Sequence, residues 1–396
     1  MKSKFVKTMV CAGMIGALLS GCGSSQTVEE AIPAAPGSQA VTETAAPETD
    51  EKTEEEETET TEAAGEDSAS ATGGLVGVAM PTKDLQRWNQ DGTNIEAQLK
   101  EAGYEVDLQY ASNDVQTQVS QIENMINNGC KCLVISAIDS ESLGDVLAKA
   151  KEAGIYVIAY DRLIMNTDAL SYYATFDNYK VGTVQGQYVV DQLDLDNAEG
   201  PFSIEMTAGD PGDNNAIVYY DGAMDVLKPY VESGKLVFKS GQDSFEDVAT
   251  ASWSTENAQS RAENILSSFY TSEPLDVWLC SNDSTALGVE NALAANYTLD
   301  YPIITGQDCD VANTKNMIAG KQSMSVFKDT RQLASKTVEM VDAVMQGKEA
   351  EVNDTSSYDN GTGVIPSYLC EPVFADSTNY KELLIDSGYY SEDDLK

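Results

Sequence analysis

The chain has no histidine among its 396 residues. That absence removes imidazole acid–base chemistry, Ser–His and Cys–His nucleophile pairs, and histidine-ligated metal. Basic residues are scarce as well: 24 Lys and Arg stand against 65 Asp and Glu, giving a formal net charge of -41. This balance argues against a nucleic-acid partner, because neutralising phosphates requires cations in excess. The acidity favours solubility and says nothing about fold. There is no CxxC motif; Cys130-Lys131-Cys132 is too tight for one. Cys130, Cys132, Cys280, Cys309 and Cys370 are an odd set and read as buried small hydrophobes. The sequence leaves a Cys280–Cys309 bridge open. No metal and no cofactor is expected.

What the N-terminus does have is an export pattern. Lys2, Lys4 and Lys7 precede an apolar run from Val10 to Leu19. About ten such residues are too few to span a bilayer and suit a signal-peptide core. Leu18-Leu19-Ser20-Gly21-Cys22 resembles the bacterial lipobox, which implies a leader over 1–21 and lipidation of Cys22. The mature protein is then expected on the outer face of the cytoplasmic membrane, held by its lipid anchor, since one acyl chain alone anchors weakly and several anchor firmly. Residues 22–73 are rich in Glu, Thr, Ala, Ser and Pro, including Glu54-Glu55-Glu56-Glu57, with little to bury. They are expected to form a disordered acidic tether with a reach of roughly 40 Å or more.

From Gly74 the pattern is that of alternating strands and helices. Short apolar runs such as Leu75 to Met80, Cys132 to Ser136 and Tyr156 to Tyr160 are separated by amphipathic segments of about a dozen residues. The alternation restarts at Phe202 and runs to Phe327, followed by a helix over Thr330 to Met345. This predicts an α/β fold with parallel central sheets, and more than one core's worth of chain predicts two lobes. Trp278 sits inside a strand and reads as core.

Ligands of open parallel sheets bind beyond the carboxyl ends of the strands. Those ends carry Lys83, Arg87 and Trp88 after the first strand and Asp161-Arg162 after the fourth. The second half adds Asp213, Asn214 and Asn215, then Trp253, Asn282, Asp308 and Lys328. Asp and Asn alone are ordinary helix caps, but Trp, Arg and Lys are not. The set as a whole suits a sugar: carboxylates and amides for hydroxyls, forked cations for neighbouring oxygens, and indoles for the C–H faces of the ring.

Several segments carry a family resemblance. Met80-Pro81-Thr82-Lys83 with Arg87-Trp88, Gln121 to Ile126, Ala159 to Arg162, Phe176-Asp177-Asn178 and Asp213 to Ala216 form an ordered series. Ser281 to Ala286, Gly306-Gln307-Asp308 and Val326-Phe327-Lys328 continue it. From residue 74 to 396 the chain resembles the xylose-binding and multiple-sugar-binding proteins of bacterial ABC transporters. The resemblance implies a type I periplasmic-binding-protein fold, with two Rossmann-like lobes joined by a three-crossover hinge. It implies a first lobe of 74–178 plus 328–364 and a second of 179–327 plus 365–396, with crossings near Asn178, Lys328 and Ile365-Pro366. The implied sugar contacts are Lys83, Arg87, Trp88, Asp161, Arg162, Asn214, Asn215, Trp253, Asn282, Asp308 and Lys328, with the choice within the asparagine pair left open. The implied partners are a monosaccharide and an ABC permease with its ATPase, and the protein is expected to be a monomer.

Three other readings compete. A glycosidase needs a pair of carboxyls, and Asp161 with Asp308 is the obvious pair. Both are expected beside cations, which hold a carboxylate ionised and unfit as a general acid. A sugar sensor that presents its ligand to a chemoreceptor or sensor kinase fits the same residues. A sugar-responsive transcription regulator is disfavoured, because a leader and acidic tether occupy the place of a helix-turn-helix. The Lys83 loop resembles the multiple-sugar receptors and Ser281-Asn282-Asp283 the xylose binders. Xylose, arabinose, glucose and galactose therefore all stay open.

Overall fold

The structure, a computed structural model, describes residues 73–396. The expected leader, Cys22 and all of the expected tether except Gly73 lie outside the described residues. The first half contains β1 (Leu75–Met80), α1 (Gln86–Glu101), β2 (Glu105–Tyr110), α2 (Val115–Asn127), β3 (Cys132–Ile135), α3 (Gly144–Glu152), β4 (Tyr156–Tyr160) and β5 (Tyr172–Phe176). The chain continues with α4 (Asn178–Gln192), β6 (Phe202–Thr207), α5 (Asn214–Glu232), β7 (Leu236–Val237), α6 (Phe245–Val248) and α7 (Thr255–Phe269). Then come β8 (Val277–Cys280), α8 (Asp283–Asn296), β9 (Ile303–Ile304), α9 (Val311–Ile318), β10 (Met324–Phe327) and α10 (Thr330–Met345). β11 (Ser367–Cys370), β12 (Val373–Asp376) and a π-helical turn at Lys381–Asp386 close it.

The first sheet is parallel throughout, in the order β11-β5-β4-β3-β1-β2. Both faces are covered, which is why its strands read as continuous apolar runs. Val76, Val78 and Met80 of β1 pack with α1 and α10 on one face, and Ala79 packs with α2 and α3 on the other. The second sheet has the order β7-β6-β8-β9. Val277 and Leu279 of β8 face α4 and α5, and Trp278 and Cys280 face α7 and α8. Trp278 is fully buried, and its indole N–H donates to Thr207 Oγ1 at 2.8 Å. The five cysteines are buried and unbridged, so no Cys280–Cys309 disulfide forms. Among the described residues no helix is long and apolar enough to cross a membrane.

The chain passes three times between the first sheet and the second half, which also holds a two-stranded pair of β10 and β12. It leaves β5 at Asp177 for α4, and leaves β10 at Lys328 for α10, which packs back on α1. The third passage lies between Cys370 and Val373, not near Ile365-Pro366. Ser367–Cys370 pairs with Tyr173–Phe176 and so extends the first sheet, while β12 pairs antiparallel with β10 of the second half. The reason is edge protection: β5 would otherwise expose an unpaired edge, and β11 covers it. Residues 365–370 therefore belong with the first lobe rather than the second.

α4 and α5 cross closely because small residues meet there. A Cβ on Gly182 would collide with the carbonyl oxygen of Tyr219, and one on Gly222 with that of Tyr179. Replacing Gly182 with Ala should therefore force the two helices apart. The expected loss is roughly 1–3 kcal/mol, read as a lower urea midpoint than that of a Gly→Ala control at Gly144, where a Cβ meets open space.

Candidate functional site

The carboxyl ends of both sheets converge on one cleft. α1 begins at Gln86, so Arg87 and Trp88 occupy its first turn, and both are buried. Asp161 and Arg162 follow β4 directly. From the second half come Asp213 at the N-cap of α5, Trp253, Asn282 at the N-cap of α8, the Gln307–Asp310 loop and Lys328. Together they line one cleft.

The charges in this cleft are paired across the two lobes. Arg87 donates to Asp161, reaches Asp91 Oδ2 at 3.0 Å, and meets Asp308 Oδ1 of the opposite lobe at 3.3 Å. Lys328 Nζ lies 3.1 Å from Asp308 Oδ1 and 3.8 Å from Asp161 Oδ1. Arg162 Nε pairs with Asp213 Oδ2 at 2.8 Å, again across the lobes. Burial raises the Asp161 carboxyl, but Arg87, Lys328 and Arg162 outweigh it and hold the group below the usual carboxylate range. Burial lifts Asp213, and Arg162 only partly offsets it. Burial likewise pushes Asp91, behind Arg87, up to about 6 despite the guanidinium beside it.

The walls are aromatic. Trp88 comes from the first lobe, with the Arg87 and Arg162 guanidinium carbons 5.1 and 5.0 Å from its ring centre. Trp253 comes from the second lobe and donates its indole N–H to Asp213 Oδ2 at 3.2 Å. Its ring lies so close over Gly209 that a Cβ there would collide with it. Asp161, Trp253 and Asp308 all have positive φ, at 60°, 54° and 98°. Non-glycine residues rarely adopt this region, and such strain gathers where a side chain must be aimed.

Eight of the eleven residues expected from the sequence line this cleft: Arg87, Trp88, Asp161, Arg162, Trp253, Asn282, Asp308 and Lys328. Three do not. Lys83 is exposed on the loop before α1, its ammonium 4.7 Å from the centre of the Tyr110 ring. Asn214 faces a separate depression near Tyr179 and Tyr358. Asn215 is buried behind the cleft and donates to the backbone carbonyl of Asp161 at 2.7 Å, so it braces a lining residue rather than lining the wall itself. The implied sugar contacts omitted Leu85, Asp213, Tyr219, Ser284, Gln307 and Asp310, which line the wall. Asp213 and Gln307 lie inside segments already singled out, so the signal was present; Tyr219, one helical turn beyond Asn215, gave none.

Polar atoms are left over at this wall. Gln307 Oε1 and Asp310 Oδ1 are buried and have no hydrogen-bond partner, and Lys328 Nζ, though ion-paired with Asp308, makes no aligned hydrogen bond. Such groups cost about 1–3 kcal/mol each when unpaired. Their gathering in one cleft marks a place completed by a polar ligand. Asp161, held ionised, cannot serve as the protonated acid of the Asp161–Asp308 pair that glycoside hydrolysis would need.

Two α/β lobes closing charged and aromatic walls on a small cleft define a ligand-binding receptor. The chain belongs to the periplasmic binding protein domain family, whose model matches residues 76–349. It is 52% identical over 331 residues to the multiple sugar-binding periplasmic receptor ChvE of Rhizobium radiobacter, covering 83% of this chain and 94% of that one. To the D-xylose-binding periplasmic protein of Escherichia coli it is 36% identical over 320 residues, covering 81% and 92%. Among solved structures, an ABC transporter solute-binding protein from Clostridium phytofermentans with bound β-D-glucose matches at a TM-score of 0.81 and 72% identity, covering 81% of this chain and all of that one. A carbohydrate transporter solute-binding protein from Chloroflexus aurantiacus in complex with D-glucose matches at 0.74 and 34%, covering 81% and 98%. These relatives are binding receptors, not enzymes.

The raised Asp91 carboxyl sets a pH dependence. Folded, it holds its proton up to about 6; unfolded, it releases it near 4 or just below. The folded chain therefore binds the proton more tightly, and the stability so gained is present below about pH 4 and is lost as pH rises through 6. The unliganded protein should show a lower urea midpoint at pH 7.5 than at pH 5. Asp91→Asn should shrink that pH 5 to 7.5 difference by about 1–1.5 kcal/mol.

Proposed function

We propose that the protein is an extracytoplasmic, lipid-anchored solute-binding protein that captures a monosaccharide, xylose or a related aldose, by lobe closure. It then delivers the sugar to an ABC permease and its ATPase. The observation that carries this reading is the trio of buried polar atoms without a hydrogen bond, from Gln307, Asp310 and the ion-paired Lys328, in a cleft that also holds Trp88 and Trp253. A neutral sugar satisfies them without disturbing the ion pairs around them, and its apolar faces suit the indoles. The glucose bound to one similar structure and the xylose named for one relative point to the same class of ligand.

Closure follows from where the contacts lie. Arg87 with Asp308 and Arg162 with Asp213 span the lobes. So do the backbone N–H of Val311, donating to Gln86 Oε1 at 3.1 Å, and the N–H of Ser140, donating to the Gly212 carbonyl at 2.8 Å. A sugar that touches both walls adds its binding energy only to the closed arrangement and shifts the population toward it. The closed body then docks as a monomer on the permease, while the Cys22 lipid keeps it at the membrane.

Titration calorimetry with D-xylose and D-glucose should give saturable binding. Trp88→Ala and Trp253→Ala should each weaken it by about 1–3 kcal/mol, the range seen when aromatic stacking is lost. Unchanged affinity in both variants would remove the indoles from the account. Cys22→Ser should release the protein from the membrane fraction into the soluble one; a variant still sedimenting with membranes would refute the lipid anchor.

A further inference from the structure

The cleft wall holds four carboxyls and three cations. Asp161 and Asp308 pair with Arg87 and Lys328, and Asp213 pairs with Arg162. Asp310 is left without a cation, and among the described residues no donor reaches its carboxyl; Oδ1 is buried and unpartnered.

Its position makes this more pointed. Asp310 is the N-cap of α9, where an aspartate ordinarily turns its side chain back onto the helix N–H groups. Asp114, Asp177, Asp213, Asn282 and Asp329, at the N-caps of other helices, all do so. Asp310 gives up that bond, and its side chain lines the cleft instead.

The groups facing it explain its charge state. Asp308 lies in the same loop, and Asp283 opens α8, with its Oδ2 accepting the Asp310 backbone N–H at 2.8 Å. Arg87 from α1 and Lys328 after β10 are drawn to the other carboxylates, and the Tyr390 hydroxyl, from the C-terminal segment, binds the Cys309 carbonyl next door. Burial lifts both Asp283 and Asp310 above the ordinary carboxyl range; next in effect are the mutual repulsion with Asp310 for Asp283 and the Asp308 charge for Asp310, which is pushed up to about 7. Asp283 accepts from Asp310 N, Gln322 Nε2 and Ser325 Oγ, which suits an anion. Asp310 accepts from nothing, so of the two it is the one that keeps the proton.

We propose that Asp310 is a specificity-determining residue of this cleft, its neutral carboxyl donating a hydrogen bond to an oxygen of the bound saccharide. This rests on the sugar-binding reading and adds that binding is proton-linked. When Asp310 is ionised, sugar entry draws one proton from solvent onto the carboxyl, which then donates it in the new hydrogen bond. A neutral acceptor oxygen is selected, and the wall reaches three charges of each sign.

The test is titration calorimetry of the full chain with D-glucose at pH 6 and pH 8.5, in buffers of different ionisation enthalpy. Affinity should fall about tenfold between the two pH values, with a proton taken up from buffer near pH 7.5. Asp310→Asn, which keeps a donor but cannot titrate, should lose both the proton uptake and the pH dependence. Asp310→Ala should bind about tenfold more weakly at pH 6. Wild-type binding that is flat in pH without proton uptake, or an Asp310→Asn variant with the wild-type profile, would overturn the proposal and leave the sugar site standing. No saturable heat from glucose or xylose would overturn the sugar reading itself.

Discussion

Arg87 holds the binding face together. Its guanidinium reaches Asp91 beneath it, Asp161 beside it and Asp308 across the cleft. A buried cation without such partners would cost several kcal/mol, and each of those carboxylates would be equally costly alone. The network therefore fixes the ends of β4 and of the β9 loop against α1. Lys328, at a crossing point between the lobes, joins the same two carboxylates and ties the network to the hinge. The charges that build the site are thus the same ones that join the two lobes.

The surrounding architecture supplies rigidity where the network needs it. Asn215 and Tyr173 both bond the Asp161 carbonyl, at 2.7 and 2.6 Å, and hold a backbone that is itself in a rarely populated conformation. Trp253 is likewise seated by Gly209 beneath it and by the Ser284 hydroxyl donating to its carbonyl. Asp161 and Trp253 are thus each held by a group behind the wall, Asn215 and Gly209 respectively. Substitutions in that outer layer should alter affinity through geometry rather than contact.

Much of this was legible in the sequence. Buried parallel strands announce themselves as apolar runs, so β1, β3, β4 and β8 could be read directly, and the strand-end rule then led to Arg87, Trp88, Asp161, Arg162, Asn282, Asp308 and Lys328. The failures have local causes. Asp213, Asn214 and Asn215 are consecutive polar residues at a helix start, and successive residues there point about 100° apart; the chain alone does not say which faces inward. Lys83 precedes the helix that carries Arg87 inward, so its side chain turns out to solvent. β5, with Tyr172-Tyr173-Ala174-Thr175-Phe176, lacks the helix that normally separates parallel strands, and β11 joins it from 194 residues later in the chain. Both the missed strand and the misplaced third crossing follow from that single long-range pairing.

Crystallisation of the protein with D-glucose tests the central claim most directly. The account predicts the pyranose between Trp88 and Trp253, with its oxygens within hydrogen-bonding distance of Lys328 Nζ, Gln307 Oε1 and the Asp310 carboxyl and with the Arg87 ion pairs intact. A sugar seated elsewhere, or one that leaves those three groups still without a hydrogen bond, would contradict it.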